Sequence, residues 1–236
     1  MKKIVLLLLV VVIMLPMVSC SDPDEKERPD DIIATAVRVE TLQTIETMFS
    51  KDISAKTNLP ALFEPTTEKR ILLAKESEVY VTFISEGASY QNSFGYYTYN
   101  SSAPPADVSA LKLTMLFPNV SDVILKKGDM LQVGITKFPA GTVIGFFIII
   151  NGWESGSVHY DRDKIYTDMS FNAGGEQQHV LFKLKDFGDI ILGFEDIQIA
   201  GTGNRINDFN DLLFTVTDNR ENREVTNFKL DKVVVL

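Results

Sequence analysis

From about Arg70 onward the chain alternates apolar and polar residues or gathers them into short apolar blocks, with Gly, Pro, Asn and Asp between the blocks. Such spacing is that of β-strands joined by turns. Strands are predicted at 78–84, 93–99, 111–117, 130–135, 143–150, 179–185, 189–194 and 212–217, with a further one within 228–236. The turn signals are Ser102-Ala103-Pro104-Pro105, Lys127-Gly128-Asp129, Pro139-Ala140-Gly141 and Asn172-Ala173-Gly174-Gly175. Phe146-Phe147-Ile148-Ile149-Ile150 is apolar on both faces, which predicts a central strand covered on both sides. Many short strands with frequent turns predict a mainly β fold: an antiparallel β-sandwich, jelly-roll-like, with one short helix at its N-terminal side.

That helix lies where the pattern differs. Ile32, Ile33, Val37, Leu42, Ile45, Met48 and Phe49 recur at spacings nearer three and four than two. Residues 42–49 read as a short amphipathic helix with Thr41 as its N-cap, and Leu59-Pro60 and Glu64-Pro65 mark a loop. The organisation expected is therefore a 32–69 helical and irregular segment followed by a β domain over 70–236.

The start of the chain has a different character. Lys2-Lys3 precede an apolar run from Ile4 to Leu15, too short to span a bilayer comfortably and ordered like a secretory signal. Pro16-Met17-Val18-Ser19 lead to Cys20, the only cysteine. This resembles a loose lipobox of bacterial lipoproteins, which implies cleavage of residues 1–19 and lipid on Cys20. The bland alternative is a plain signal peptide with an incidental thiol. Residues 20–31 are polar, acidic and proline-containing, and read as an extended tether outside any core. Acids directly after a lipidated cysteine resemble the surface-export signal of Bacteroidetes-type lipoproteins, which implies an outer-membrane protein facing outward; a periplasmic linker is the alternative.

Residues 1–19 contain two lysines and no acids, so cleavage leaves 21 basic against 32 acidic side chains, a formal charge of −11. That balance argues against nucleic acid and against docking on anionic lipid, while leaving cations, proteins and neutral glycans as partners. With one cysteine no intrachain disulfide forms, so stability rests on the core and on any bound ion.

The densest chemistry lies between the last two long strands. Gly193-Phe194-Glu195-Asp196 closes one of them, and Asn207-Asp208-Phe209-Asn210-Asp211-Leu212 opens the next. If those strands pair, Glu195 and Asp196 come to lie beside Asp208 and Asp211, and carboxylates held that close repel one another, for which a hard cation is one cure. Glu195, Asp196, Asp208, Asn210 and Asp211 supply most of the oxygens calcium wants, with Asn207 and backbone carbonyls in reserve; Phe194 and Phe209 are expected to turn inward and pin the loop. The alternative is an acidic solvated turn whose side chains cap their own backbone. The spacing is not that of an EF-hand.

These strings, together with Tyr80 to Ala88, Asn92 to Tyr99, Asn151-Gly152-Trp153 and His179 to Phe182, resemble the domain-of-unknown-function family 4114 and the related LruC-type domains of bacterial exported proteins, over roughly 77–217. The resemblance implies a β-rich extracytoplasmic domain suspected of binding calcium, with no established enzymatic activity. One departure is Arg205 just before the Asp208-Phe209-Asn210-Asp211 string, where members often carry acids.

Other features carry less. Glu86 lies within reach of the same ion or simply in a turn with Gly87. Tyr97 and Tyr99 with Trp153 make a sugar-stacking platform or ordinary cross-strand packing. For catalysis the sequence offers little: two histidines, no nucleophile elbow, no phosphate loop and no zinc spacing. The expectation is a non-catalytic surface or periplasmic lipoprotein with a calcium-binding sandwich used for adhesion or assembly; a glycan-binding module is the alternative, and a hydrolase the remote one.

Overall fold

The computed structural model describes residues 26–49, 53–198, 207–221 and 223–236. Cys20, the leader 1–19, the first part of the tether and Arg205 lie outside the described residues. In chain order the strands are β1 (Ile33–Ala34), β2 (Ile71–Leu72), β3 (Tyr80–Glu86), β4 (Asn92–Asn100), β5 (Thr114–Val120), β6 (Asp129–Gln132) and β7 (Thr142–Ile149). They continue as β8 (Trp153–Glu154), β9 (Ser157–Val158), β10 (Lys164–Tyr166), β11 (His179–Lys183), β12 (Ile190–Phe194), β13 (Leu212–Thr217) and β14 (Val234–Val235). Two α-helices, α1 (Val39–Met48) and α2 (Ala55–Asn58), and a 3-10 turn (Pro60–Phe63) lie before β2.

All but β8 and β9, which pair as a separate two-stranded ribbon, belong to two sheets that face each other. The larger runs β1-β6-β3-β13-β12-β11-β14; the smaller runs β10-β7-β4-β5, with β2 also paired to β7. Every pairing is antiparallel except that of β14 with β11. The period-two alternation explains the core between them. Val81 and Phe83 from β3, Leu212, Phe214 and Val216 from β13, and Phe94 and Phe146 from the smaller sheet point into one cluster. Phe94 and Phe214, from opposite sheets, stack with centroids 4.1 Å apart. The all-apolar β7 is central, and both its faces are covered: Ile144, Phe146 and Ile148 face the core, while Phe147 and Ile149 pack outward on Tyr97, Trp153 and Tyr166. That outer packing depends on Gly145, because a Cβ there would lie 2.2 Å from the Tyr97 ring.

The outer face of the larger sheet is covered by the helical segment. Ile45, Phe49, Ala55 and Leu62 pack on Ile84, Val180, Phe182, Ile191 and Leu213, the residues that alternation turns away from the main core. Helix α1 starts earlier than its hydrophobic pattern suggests. Its N-cap is Arg38, and Thr41, predicted as the cap, is fully buried inside the first turn. The Thr41 hydroxyl donates to Asp189 at the turn joining β11 and β12, so inside the helix the side chain is turned to a tertiary partner.

Two further expectations change. The end of the tether is not free: Glu27 accepts from Asn119 of β5 and Arg28 pairs at 2.8 Å with the buried Asp129 of β6, so residues 27 and 28 link the edge strand of the smaller sheet to the larger one. Of the predicted terminal strand, Phe228 makes a single β-bridge to Leu73 and Val234–Val235 pairs with β11, the chain turning between them after Leu230. Among the described residues no helix is long and apolar enough to cross a membrane.

Candidate metal centre

Strands β12 and β13 pair from Ile190↔Val216 to Phe194↔Leu212, so the chain leaves β12 and re-enters β13 at the same end of the sheet. Glu195 and Asp196 are thereby set against Asp208–Asp211, as the sequence pattern requires. Phe194 and Phe209 both turn inward and are essentially inaccessible. Phe209 takes a left-handed backbone (φ 59°), and its ring meets Phe63 edge-on at 5.3 Å. Its carbonyl sits where a side chain on Gly193 would be, 2.7 Å from a Cβ built there, which is why glycine precedes Phe194.

The acidic side chains form one connected group. Asp211 Oδ2 accepts the backbone N–H of Asp196 at 2.7 Å, and the Asp211 carboxyl lies against those of Asp196 and Glu195. Two carboxyls this close share a hydrogen bond only when one of them carries a proton. Glu195 Oε2 also lies at the edge of hydrogen-bonding range, 3.5 Å, from the N–H of Phe209, and the Asp208 charge bears on Glu195. Asn210 Nδ2 donates to Asp208 Oδ2 at 3.0 Å. Asn92 fixes the far side: its Nδ2 donates to Asp196 Oδ2 at 2.8 Å while its Oδ1 accepts the N–H of Asn151. Glu195 and Asp196 are 4 % and 2 % exposed.

Burial pushes Glu195, Asp196 and Asp211 above the ordinary carboxylate range, and mutual repulsion adds to the shift for Glu195 and Asp211. None of these three forms an ion pair with a basic side chain among the described residues. As they stand, no three His, Cys, Asp or Glu side chains among the described residues are grouped so as to hold a metal ion; the carboxyls meet one another instead. The donor set is nonetheless all oxygen, with Glu195 and Asp196 buried and Asp208, Asn210 and Asp211 half-buried, which is the chemistry of a hard-cation site and not of a transition-metal one. All five predicted ligands, Glu195, Asp196, Asp208, Asn210 and Asp211, belong to this group.

Neighbouring polar residues divide into roles the sequence partly hid. Glu86 ends β3 opposite Leu212, near enough to the group that burial together with the Asp122 and Asp196 charges pushes it up to about 6. Asp122 and Asn151 are brought in from loops far along the chain, and no local spacing pointed to either. Asn207 contributes its carbonyl to the N–H of Ala55.

The aromatic platform does not form. Tyr97 is fully buried and Trp153 nearly so, both packed in the outer cluster of the smaller sheet. Tyr97 and the half-buried Tyr99 stack at 6.4 Å and both donate to Asp168, with Arg70 also bonded to the Tyr99 hydroxyl. Cross-strand packing won because alternation on β4 turns Tyr97 and Tyr99 to the face that β8, β9 and the 169–171 turn cover. Replacing Trp153 with alanine is therefore expected to cost about 3–5 kcal/mol of stability, read as a lowered denaturant midpoint, because it empties a packed site. His179 is fully buried, with Nε2 on the Lys69 carbonyl at 2.8 Å, and His159 sits on the surface near the Glu154 carbonyl.

Comparison with known families agrees with this region of the chain. Residues 138–219 match the family described as a domain of unknown function, DUF4114. The DUF4114 match takes in β7 to β13 and the whole acidic group, but not the 80–99 strings that also suggested the family. No curated protein and no solved structure shows significant similarity to the chain.

Proposed function

We propose that the protein is a non-catalytic, extracytoplasmic calcium-binding module: a β-sandwich lipoprotein, anchored through Cys20 and displayed on the outer membrane or held in the periplasm, that serves adhesion or assembly. One observation carries the calcium reading. Two buried carboxyls, Glu195 and Asp196, meet the half-buried Asp211 at the junction of two core strands, and none of the three forms an ion pair with a basic side chain among the described residues. Burying charge without compensation is costly, and a proton or a cation must supply the compensation. In a calcium-rich exterior the cation is the better compensator, since it satisfies several oxygens at once. Asp208 and Asn210 complete the set from the β13 side. Bound there, calcium would supply structural charge neutralisation; the chain's own residues fix the loop, through the buried Phe194 and Phe209, and hold it against the sheet end.

The anchor and surface location rest on the leader and Cys20, the adhesive or assembly role on the absence of any catalytic pattern in the sequence together with a rigid, loop-bearing sandwich. Isothermal titration of metal-stripped protein is expected to show about one tightly bound Ca2+ per chain and much weaker Mg2+ binding. A flat calcium titration would remove the reading.

A further inference from the structure

The loop that carries Asp208 and Asn210 does a second job: it holds the helical segment onto the sheet. Asn210 Nδ2 donates to the carbonyl of Phe49 just after α1, at 3.1 Å. The Asn207 carbonyl accepts the N–H of Ala55, the first residue of α2, at 2.9 Å. Phe209 packs against Phe63 of the following turn. At its other end the segment is fastened independently, by Thr41 to Asp189 and by Arg38 Nη1 to the Phe187 carbonyl at 2.6 Å. Beside the packed face of α1 opens a cleft of about 480 Å³, lined by Leu42, Phe49, Leu213, Glu86, Lys127 and Asn210.

We propose that Asn210 couples the calcium site to this helical cap, so that ion binding tightens the cap over the outer face of the larger sheet and ion loss loosens its α1–α2 end. The inference rests on the calcium reading above. Its basis is the division of labour within one amide. The Phe49 carbonyl and the Asp208 carboxylate are both acceptors, so both must face Nδ2, and this turns Oδ1 the other way, against Gly87. Within the amide, the oxygen is the part left to serve a cation, and whatever fixes it fixes the nitrogen on the cap. The face beneath is apolar (Ile84, Val180, Phe182, Ile191 and Leu213), so the cap's grip decides how much of it water reaches.

Hydrogen exchange of the 39–49 and 55–63 amides tests this, in wild type and in Asn210→Asp and Asn210→Ala, each with calcium and with chelator. Asn210→Asp keeps an oxygen for the ion but sets a carboxylate against the Phe49 carbonyl, and it is expected to raise cap exchange about five-fold while still binding calcium. In wild type, calcium is expected to slow cap exchange, and in both variants to leave it unchanged, with β12 and β13 protected throughout. Cap exchange equal in wild type and Asn210→Asp, or insensitive to calcium in a wild type that binds the ion, overturns the coupling. A wild type that binds no calcium in the parallel titration overturns the functional reading itself, and the coupling with it.

Discussion

Chelation is expected to lower the thermal unfolding midpoint by about 5–10 °C, and Asp211→Asn is expected to abolish that response. A ligand that binds only the native state adds about 2.7 kcal/mol at 100 times its dissociation constant, and a domain of this size shifts by about 2–4 °C per kcal/mol. The variant separates ion from proton. Asp211 sits between Glu195 and Asp196 and needs a proton to hydrogen-bond to them; an asparagine amide donates in that place permanently. In chelator, Asp211→Asn should therefore unfold no earlier than wild type, while gaining nothing from calcium. A variant that simply damaged the loop would unfold early in both conditions. Differential scanning calorimetry in calcium and in chelator reads all four values.

The second large effect concerns acid. His179 is fully buried, and burial, reinforced by the Lys69 charge, pushes its imidazole down to about 4, against a partial upward pull from the Lys69 carbonyl and Glu68. Its Nδ1 has no partner among the described residues. A histidine whose folded value lies below its unfolded one is neutral in the fold and charged in the open chain. Its contribution to stability is therefore complete above about pH 6.5 and is lost as pH falls toward 4. The difference between these values corresponds to about 3 kcal/mol at the acid end. His179→Gln offers a neutral donor to the Lys69 carbonyl and should remove this slope. Urea midpoints measured from pH 7.5 to 4 should fall less steeply for the variant than for wild type; parallel curves would show that His179 does not titrate between the two states.

How far the sequence foresaw this depends on whether the physics was local. Strands β3, β4, β7, β11, β12 and β13 were legible because alternation and apolar runs encode which face is covered, and β7 announced its central place by being apolar on both sides. The metal-group residues were legible for a related reason. Phe194↔Leu212 pairing follows from two adjacent strands, and pairing alone sets Glu195 and Asp196 beside Asp208 and Asp211. What lay hidden was settled by distant partners. Thr41 reads as a cap until Asp189, 148 residues away, claims its hydroxyl. Tyr97 and Trp153 read as a platform or as cross-strand packing, and nothing local decides between the two, because what covers each comes from elements elsewhere in the chain. The tether's end reads as solvated because Asp129 and Asn119, which hold Arg28 and Glu27, belong to strands a hundred residues on.

The calcium reading is tested most directly by long-wavelength anomalous diffraction from crystals grown in calcium. The expected result is a single strong anomalous peak ringed by oxygens of Glu195, Asp196, Asp208, Asn210 and Asp211 at about 2.3–2.6 Å, with the Asp211 carboxyl drawn off its neighbours and onto the ion. The contradicting result is no peak in that region and Asp211 still lying against Asp196 and Glu195, which would leave a proton, and not calcium, as the group's permanent compensation.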